Sequence, residues 1–287
     1  MRGTSAIVGT LMVFIVVGIA GCGGSSGGGA AVALTKWLPP GADFYSAADL
    51  VSLREDLDLP EDADPLPNPE PLGDPDASAD FVELARPALA DLVEPSSDPR
   101  LIAALDLGAA RTIAASSDRS GSAVTLVSTS ADTGDIGSAL GDLGFTDHGG
   151  ILSRGSAGPS FRLEDGLIIV ARDPALLRAV PEKAADDVPD PLLEDVDGSL
   201  ITTSPGLEDC TEGFTASADA DGTGSVAIRV DGEADPERLT LQERAGIGFG
   251  DPETDGELLT VPVSSTDASP AAAVRALQLL LVGYECP

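Results

Sequence analysis

Histidine and cysteine, which supply most metal ligands and many nucleophiles, are scarce in this sequence. Of 287 residues, one is histidine, His148, and three are cysteine. Because a zinc site needs three or four ligands and a serine nucleophile needs a base, the usual zinc, haem, copper and hydrolase sites are hard to assemble. His148 lies in FTDHGG, between an acid and two glycines, which predicts a surface loop. We therefore expect no catalytic residue, no metal and no cofactor.

Aromatic residues and lysine are also rare. Aromatics make up 3% of the chain, so the stacking platforms that single-stranded nucleic acid and carbohydrate require are few. Sixteen basic residues oppose 48 acidic ones, for a formal charge of −32. A field of that sign repels phosphate backbones. We therefore expect no nucleic-acid partner.

The N-terminus has the pattern of a signal peptide. Met1 and Arg2 precede an uncharged, mostly apolar run over residues 6–20, the arrangement of a charged n-region and an apolar h-region. About 14 apolar residues are fewer than the ~20 that a transmembrane helix needs. A cleaved segment is therefore favoured over a permanent span.

The end of that run, Ile19-Ala20-Gly21-Cys22, resembles the lipobox of bacterial lipoproteins. The resemblance implies cleavage before Cys22, a diacylglycerol thioether on its sulfur, acylation of the new N-terminus by a chain such as palmitate, and a place on the outer face of the cell membrane. Two or three acyl chains anchor a domain firmly, whereas one does not. Loss of residues 1–21 removes Arg2 and changes the formal charge from −32 to −33. An ordinary secretory signal with a chance cysteine is the alternative.

Cys210 and Cys286 remain once Cys22 is acylated. An even pair in an oxidising compartment predicts a disulfide, which by loop entropy would stabilise the fold by roughly 4 kcal/mol. Two free thiols, or a bond to another protein, are the alternatives. The predicted bond would join the C-terminus to the start of the last structural unit.

The composition divides the remainder into four segments. Residues 22–37 form a Gly/Ser tether after the lipidated cysteine, and residues 38–121 an N-terminal α/β segment. Within that segment, residues 60–80 have a proline every few positions, which predicts a long acidic loop. Residues 122–200 and 201–287 are predicted as two α+β units.

Residues 122–200 carry clear local signals for the order β-α-β-β-α. SAVTLVST predicts a strand, and the following helix has Asp132 as its N-cap and Gly144 as its stop. Asp165-Gly166 lies between two apolar runs and predicts a hairpin turn. Asp173 before Pro174 predicts the start of the last helix.

Residues 201–287 repeat part of this pattern. SVAIRV predicts a strand, Ala234-Asp235 a helix start, and Gly246 the end of that helix, while SPAAAVRALQ predicts a final helix. A duplicated unit suggests tandem ferredoxin-like folds. The fold class predicted is thus α+β, with a mostly antiparallel sheet and helices on one face.

Two short motifs resemble functional sites but lack an essential part. SADADGTGS, residues 217–225, has the early spacing of an EF-hand, but Ile228 stands where a bidentate glutamate is required, and a hairpin tip is favoured. Gly24-Ser25-Ser26-Gly27-Gly28 matches a nucleophile elbow but lies in the tether, outside the strand-turn-helix context that the motif needs.

One further likeness concerns the LGF phrase at 143–145 and GLIIVARDPALLRAV at 166–180. This pairing resembles lipoproteins of high-GC Gram-positive bacteria, a family that brings no activity with it. We therefore expect a lipid-anchored, non-enzymatic binding module whose partner is an envelope protein or a small apolar ligand. The alternative is an enzyme that uses carboxylates or a divalent cation.

Overall fold

A computed structural model describes residues 28–66, 73–89, 92, 98–155, 158–194, 197–206, 209–266, 270–279 and 281–286. The predicted signal peptide and Cys22 lie outside these residues. The described parts form an α+β fold, as predicted, around a 13-stranded sheet whose pairings are all antiparallel. None of the described helices is long and apolar enough to cross a bilayer.

Fifteen strands are described. Thirteen form the main sheet, and β11 and β15 form a separate pair. The strands are β1 (Phe44–Asp49), β2 (Ala110–Ser117), β3 (Ala123–Thr129), β4 (Thr146–Asp147), β5 (Leu152–Ser153), β6 (Ser160–Glu164), β7 (Leu167–Ala171), β8 (Leu200–Pro205), β9 (Thr211–Ala218), β10 (Thr223–Val230), β11 (Leu239–Leu241), β12 (Ile247–Phe249), β13 (Glu253–Asp255), β14 (Leu258–Ser265) and β15 (Val282–Tyr284).

The described helices are short. They are α1 (Gly28–Thr35), α2 (Leu50–Asp56), α3 (Pro75–Ala85), α4 (Pro99–Leu105), α5 (Thr133–Asp142), α6 (Pro174–Ala179) and α7 (Ala272–Gln278). Single 3-10 turns occupy Arg86–Leu89, Leu107–Ala109, Pro191–Glu194 and Pro236–Arg238.

The sheet consists of two similar halves that meet at β1 and β8. The strand order is β12-β14-β10-β9-β8-β1-β2-β3-β7-β6-β5-β4, with β13 also paired to β14. Moving outward from the centre, β1-β2-β3-β7 in one half corresponds to β8-β9-β10-β14 in the other. The two halves are joined directly, because Ala47 of β1 lies opposite Ile201 of β8.

This arrangement corrects the predicted division into domains and tandem ferredoxin-like units. The boundary at 121/122 falls in the turn that joins β2 to β3, where Asp118 N donates to Ser122 O at 3.0 Å. The boundary at 200/201 falls inside β8. The repeat that the sequence suggests therefore includes β1 and β2, and both halves share one sheet.

Helices cover both faces of the sheet, whereas one face was predicted. We call face A the side that α2, α3, α4, α5 and α7 cover, and face B the side that α1 and α6 cover. Strands such as β7, LIIVA, are buried at every position. Such an unbroken apolar run needs a layer on each side of the sheet. The buried face B residues include Tyr45, Ala47, Leu126, Ile169 and Ile201.

The strand, helix caps and hairpin turn predicted within residues 122–200 are confirmed, but the predicted order β-α-β-β-α is not, because four strands, β4 to β7, lie between α5 and α6. Asp132 accepts hydrogen bonds from the amides of Gly134 and Asp135 at the start of α5, and Asp173 accepts from Ala175 N at the start of α6. Gly166 has φ 69° in the turn between β6 and β7. These signals succeeded because caps and tight turns depend on neighbouring residues alone.

Three predictions for other parts of the chain are wrong. The tether predicted over 22–37 ends by residue 28, because α1 buries Ala31 and Leu34 against face B. The loop predicted over 60–80 ends at Asp74, which caps α3 with Pro75 in its first turn, a position that tolerates proline. The helix predicted from Asp235 to Gly246 is a single 3-10 turn followed by β11, which pairs with β15.

Candidate functional site

A groove runs along the end of α2 and over the turn at Leu107–Ala109. It consists of two adjoining depressions of about 370 and 540 Å³. Both are lined by Glu61, Gly108, Ala109 and Ser130. We call this surface the α2 groove. It is open to solvent and lies among elements that pack on face A.

A buried arginine, Arg54, holds the floor of the groove together. Its Nε donates to Ala63 O at 3.0 Å, its Nη1 to Ala110 O at 2.6 Å and its Nη2 to Gly108 O at 3.2 Å. Its guanidinium carbon lies 5.3 Å from the centre of the Phe81 ring, within cation–π range. One side chain thus connects α2, the 59–66 loop and the start of β2.

The sequence places Arg54 inward by helical spacing. Asp49 caps α2 through the amides of Val51 and Ser52, which fixes where the helix begins. Arg54 lies one helical turn after Leu50 and therefore faces the core on the same side of α2 as Leu50 and Leu53. Arg54 as a whole is 4% exposed, and the carbonyl acceptors compensate the burial of its charge.

The turn beside Arg54 depends on unusual backbone positions. Asp106 ends α4 in the left-handed region with φ 48°, a conformation that aspartate tolerates better than most residues. A Cβ on Gly108 would lie 2.7 Å from the Asp62 carbonyl oxygen. Glycine is therefore required where the 59–66 loop approaches the turn.

The wall of the groove is mainly acidic. Glu55, Glu61, Asp62, Asp64 and Asp106 contribute carboxylates, whereas Arg111 contributes the exposed positive charge. Burial raises the pKa of Asp64, and the nearby charge of Asp106 adds to the rise, while the amide of Leu66 and the Arg54 guanidinium oppose it. Burial also lowers the pKa of Arg54, which Asp64 and Asp62 counteract.

This arrangement is suited to holding a ligand by charge and hydrogen bonds. Ser130 Oγ already donates to Ala109 O at 3.2 Å, and the Arg54 guanidinium is engaged with main-chain carbonyls. Among the described residues, no group of three or more His, Cys, Asp or Glu side chains is placed to hold a metal ion. The groups in the groove best placed to contact a ligand are therefore the carboxylates of its rim.

The predicted disulfide between Cys210 and Cys286 is confirmed. Its S–S distance is 2.00 Å and its Cα atoms lie 5.7 Å apart across a sequence separation of 76. It fixes β15, at the C-terminus, beside the start of β9. A third depression, of about 430 Å³, adjoins the disulfide and is lined by Cys210, Tyr284 and an acidic loop at 231–235.

The remaining candidate residues lie apart from the α2 groove. His148 is exposed near β4, with its Nε2 3.0 Å from Thr146 Oγ1. The segment 217–225 is a hairpin tip, as predicted, in which Thr223 donates to Asp221 through both its amide and its hydroxyl. These hydrogen bonds lower the pKa of Asp221. Cys22 lies outside the described residues.

Sequence reasoning missed Arg54 and Gly108. The signal for Arg54 was present, because a charged residue on the apolar stripe of a short helix must find buried partners or distort the packing. Gly108 offered no such signal, since the residue that approaches it, Asp62, lies 46 positions earlier. Its role follows only from the folded chain.

Comparisons with known proteins identify no family. The sequence matches no protein-family model and no curated protein. Crystal form I of TP0453 superposes with a TM-score of 0.47 at 10% identity, over 85% of this chain and 96% of that one. Form III gives 0.41 at 8% identity, over 85% and 97%. The N-terminal periplasmic domain of ScsB from Proteus mirabilis gives 0.18 at 13% identity, over 56% and 82%. Likenesses at this level say nothing about function.

Proposed function

We propose that this chain is a lipoprotein anchored through Cys22 outside the cytoplasmic membrane, where its folded part acts as a non-enzymatic binding module. The observation that carries the proposal is the Cys210–Cys286 disulfide. Disulfides persist in oxidising compartments and are rare in the cytosol. The lipobox at residues 19–22 agrees with that location and supplies the anchor.

The α2 groove supports binding to a segment of an envelope protein more than to a small apolar ligand. Apolar ligands are usually held in enclosed cavities with predominantly hydrophobic walls. The α2 groove is open and its rim carries five carboxylates. A partner segment with lysine or arginine side chains would be complementary to it.

Crosslinking in living cells tests the binding site. A photo-reactive amino acid at Glu61, in the groove, is expected to trap a discrete protein partner. The same residue at Glu253, exposed on β13 away from the groove, serves as the control. The groove is not the binding site if both positions give the same products or if Glu61 gives none.

The salt dependence of the trapped complex provides a second test. Exposed charge pairs are screened as ionic strength rises. The yield of the crosslink from position 61 should therefore be lower at high salt than at low salt. Replacing Glu55 with glutamine and Asp62 with asparagine should reduce the yield of that crosslink at low salt. A crosslink that is insensitive to both changes would contradict recognition by charge.

One observation favours the alternative of a carboxylate enzyme. Asp64 combines partial burial in a groove with a raised pKa, a combination that also occurs at active sites. Its Oδ1 accepts the amide of Leu66 at 2.9 Å, which gives it a structural role as well. Titration with Ca²⁺ or Mg²⁺ distinguishes the readings, since a cation-dependent enzyme would show binding that Asp64→Asn abolishes.

A further inference from the structure

We propose that the protein faces the membrane with the layer that covers face B, and that the partner of this layer is a bilayer containing anionic phospholipid. The proposal concerns the layer formed by residues 28–43 and 172–188, which includes α1, α6 and the loop after α6. We call it the α1–α6 layer. The inference rests on the lipid anchor proposed at Cys22 and adds an orientation to it.

The first argument is the length of chain between the anchor and the fold. Gly28 begins α1, six residues after Cys22. Even fully extended, six residues span only ~20 Å. The surface around α1 therefore cannot move far from the headgroups, whatever the rest of the molecule does.

The second argument is that α1 belongs to the rigid body. Ala31 and Thr35 are fully buried and Leu34 is 8% exposed, and these contacts fix the helix on β1 and β2. Ala185 N donates to Lys36 O at 2.9 Å, and Lys36 Nζ donates to Asp186 O at 2.6 Å. The short connection therefore constrains the orientation of the whole domain as well as its distance from the bilayer.

The third argument is charge. The α1–α6 layer holds four basic residues, Lys36, Arg172, Arg178 and Lys183, which include both lysines of the chain, against five acidic residues, Asp43, Asp173, Glu182, Asp186 and Asp187. Its formal charge is −1 in a chain of −32. An anionic bilayer therefore repels this layer less, residue for residue, than it repels the acidic remainder of the protein taken together.

The single tryptophan of the chain is also in this layer. Trp37 follows α1, is half-buried against the face B core and keeps part of its surface exposed. Tryptophan is enriched where protein meets the headgroup region, because it combines an apolar ring with a polar N–H. Its position agrees with the orientation that the connection and the charges favour.

This orientation leaves the α2 groove accessible. The groove lies among elements that pack on face A, on the other side of the sheet. A partner arriving from the envelope would therefore meet the groove, while the α1–α6 layer rests near the lipid. The two sides of the sheet would then serve two different partners.

Paired spin labels on the lipidated protein test the orientation. Ala33, exposed on α1, and Ala79, exposed on α3 over face A, are replaced with cysteine one at a time and labelled, with the native disulfide intact. The full-length lipidated protein is then bound to equimolar phosphatidylcholine and phosphatidylglycerol vesicles containing a nickel-chelating lipid. We expect relaxation enhancement to be clearly stronger at Ala33→Cys than at Ala79→Cys, because the nickel ions lie at the bilayer surface.

Flotation of the same samples separates the two proposals. If the protein floats with the vesicles and the two labels relax equally, or the Ala79 label relaxes more, the orientation is wrong and the anchor stands. If the protein does not float with the vesicles, the proposed lipid anchor is wrong, and the proposed orientation, which depends on it, is wrong as well. Each result decides at least one of the two claims.

Charge reversal tests the stated cause. The double substitution Arg178→Glu and Lys183→Glu makes the exposed part of the α1–α6 layer more negative by four charges. It should reduce the ratio of the relaxation enhancement at Ala33→Cys to that at Ala79→Cys on anionic vesicles. Arg86→Glu with Arg244→Glu makes the same change at exposed positions outside the layer. An equal effect of both pairs would contradict an electrostatic origin.

Discussion

Replacing Arg54 with alanine should lower the free energy of unfolding more than almost any other single substitution of a charged residue in this protein. The substitution leaves the carbonyls of Ala63, Ala110 and Gly108 without their donors. Hydrogen bonds to charged groups contribute about 1.5–3 kcal/mol each, so three of them together contribute about 4.5–9 kcal/mol. The observed loss will be smaller, because such terms are not additive and water can enter from the open groove. We expect about 3–5 kcal/mol.

Urea unfolding of the mature domain, with its disulfide intact, measures this loss. Two variants serve as controls. Arg54→Lys keeps the charge but not the planar fork and should lose less than alanine, and Arg111→Ala, exposed in the same groove, should change stability by no more than about 0.5 kcal/mol. If Arg54→Ala costs under about 1 kcal/mol, the groove floor does not depend on this side chain.

Three further predictions concern other parts of the fold. Removing Cys210 and Cys286 together by mutation to serine should lower the free energy of unfolding by roughly 4 kcal/mol and accelerate amide exchange in β15; unchanged exchange there would contradict a stapling role. The pKa of Asp64 is higher in the folded protein than in the unfolded chain. The folded state therefore becomes less stable as pH rises from the ordinary aspartate pKa through the folded pKa, because Asp64 must then ionise while it is partly buried. Asp64→Asn should therefore be more stable than the natural protein at neutral pH and equal to it in acid, as denaturation across pH would show. Ala31→Gln should destabilise by roughly 2–3 kcal/mol, whereas Ala33→Gln, exposed on the same helix, should be neutral in thermal melts.

How far the sequence predicts this fold depends on the range of the interaction involved. The β6-β7 turn and the caps of α5 and α6 were predictable, because each is determined by a few adjacent residues such as Asp132 and Gly166. The α+β class followed from the mixture of these elements. Locally encoded features were thus read correctly over most of residues 122–200.

Features that depend on distant partners were not predictable from the same evidence. Residues 235–246 have a helical start signal, yet Leu239 and Leu241 pair with Tyr284 and Val282 in a two-stranded ladder near the disulfide. Likewise, Ala31 and Leu34 look like the end of a Gly-rich spacer until face B is present to bury them. Tertiary pairing overrode local preference in both places.

The candidate site shows the same division. The disulfide was predictable from the number of cysteines once Cys22 was assigned to the anchor. The α2 groove was not, because its floor joins an arginine on α2 to carbonyls as far away as Ala110. Its acidic rim could not be distinguished among 48 acidic residues until the chain was folded.

The identity of the modified N-terminus tests the central claim most directly. Protein extracted from the membrane fraction of the producing cells should give an N-terminal peptide that begins at Cys22 and carries the mass of a diacylglyceryl group, with or without a third acyl chain. Cys22→Ala should abolish that mass and release the protein from the membrane fraction. An unmodified N-terminus, or a Cys22→Ala protein that stays membrane-bound as before, would contradict the account.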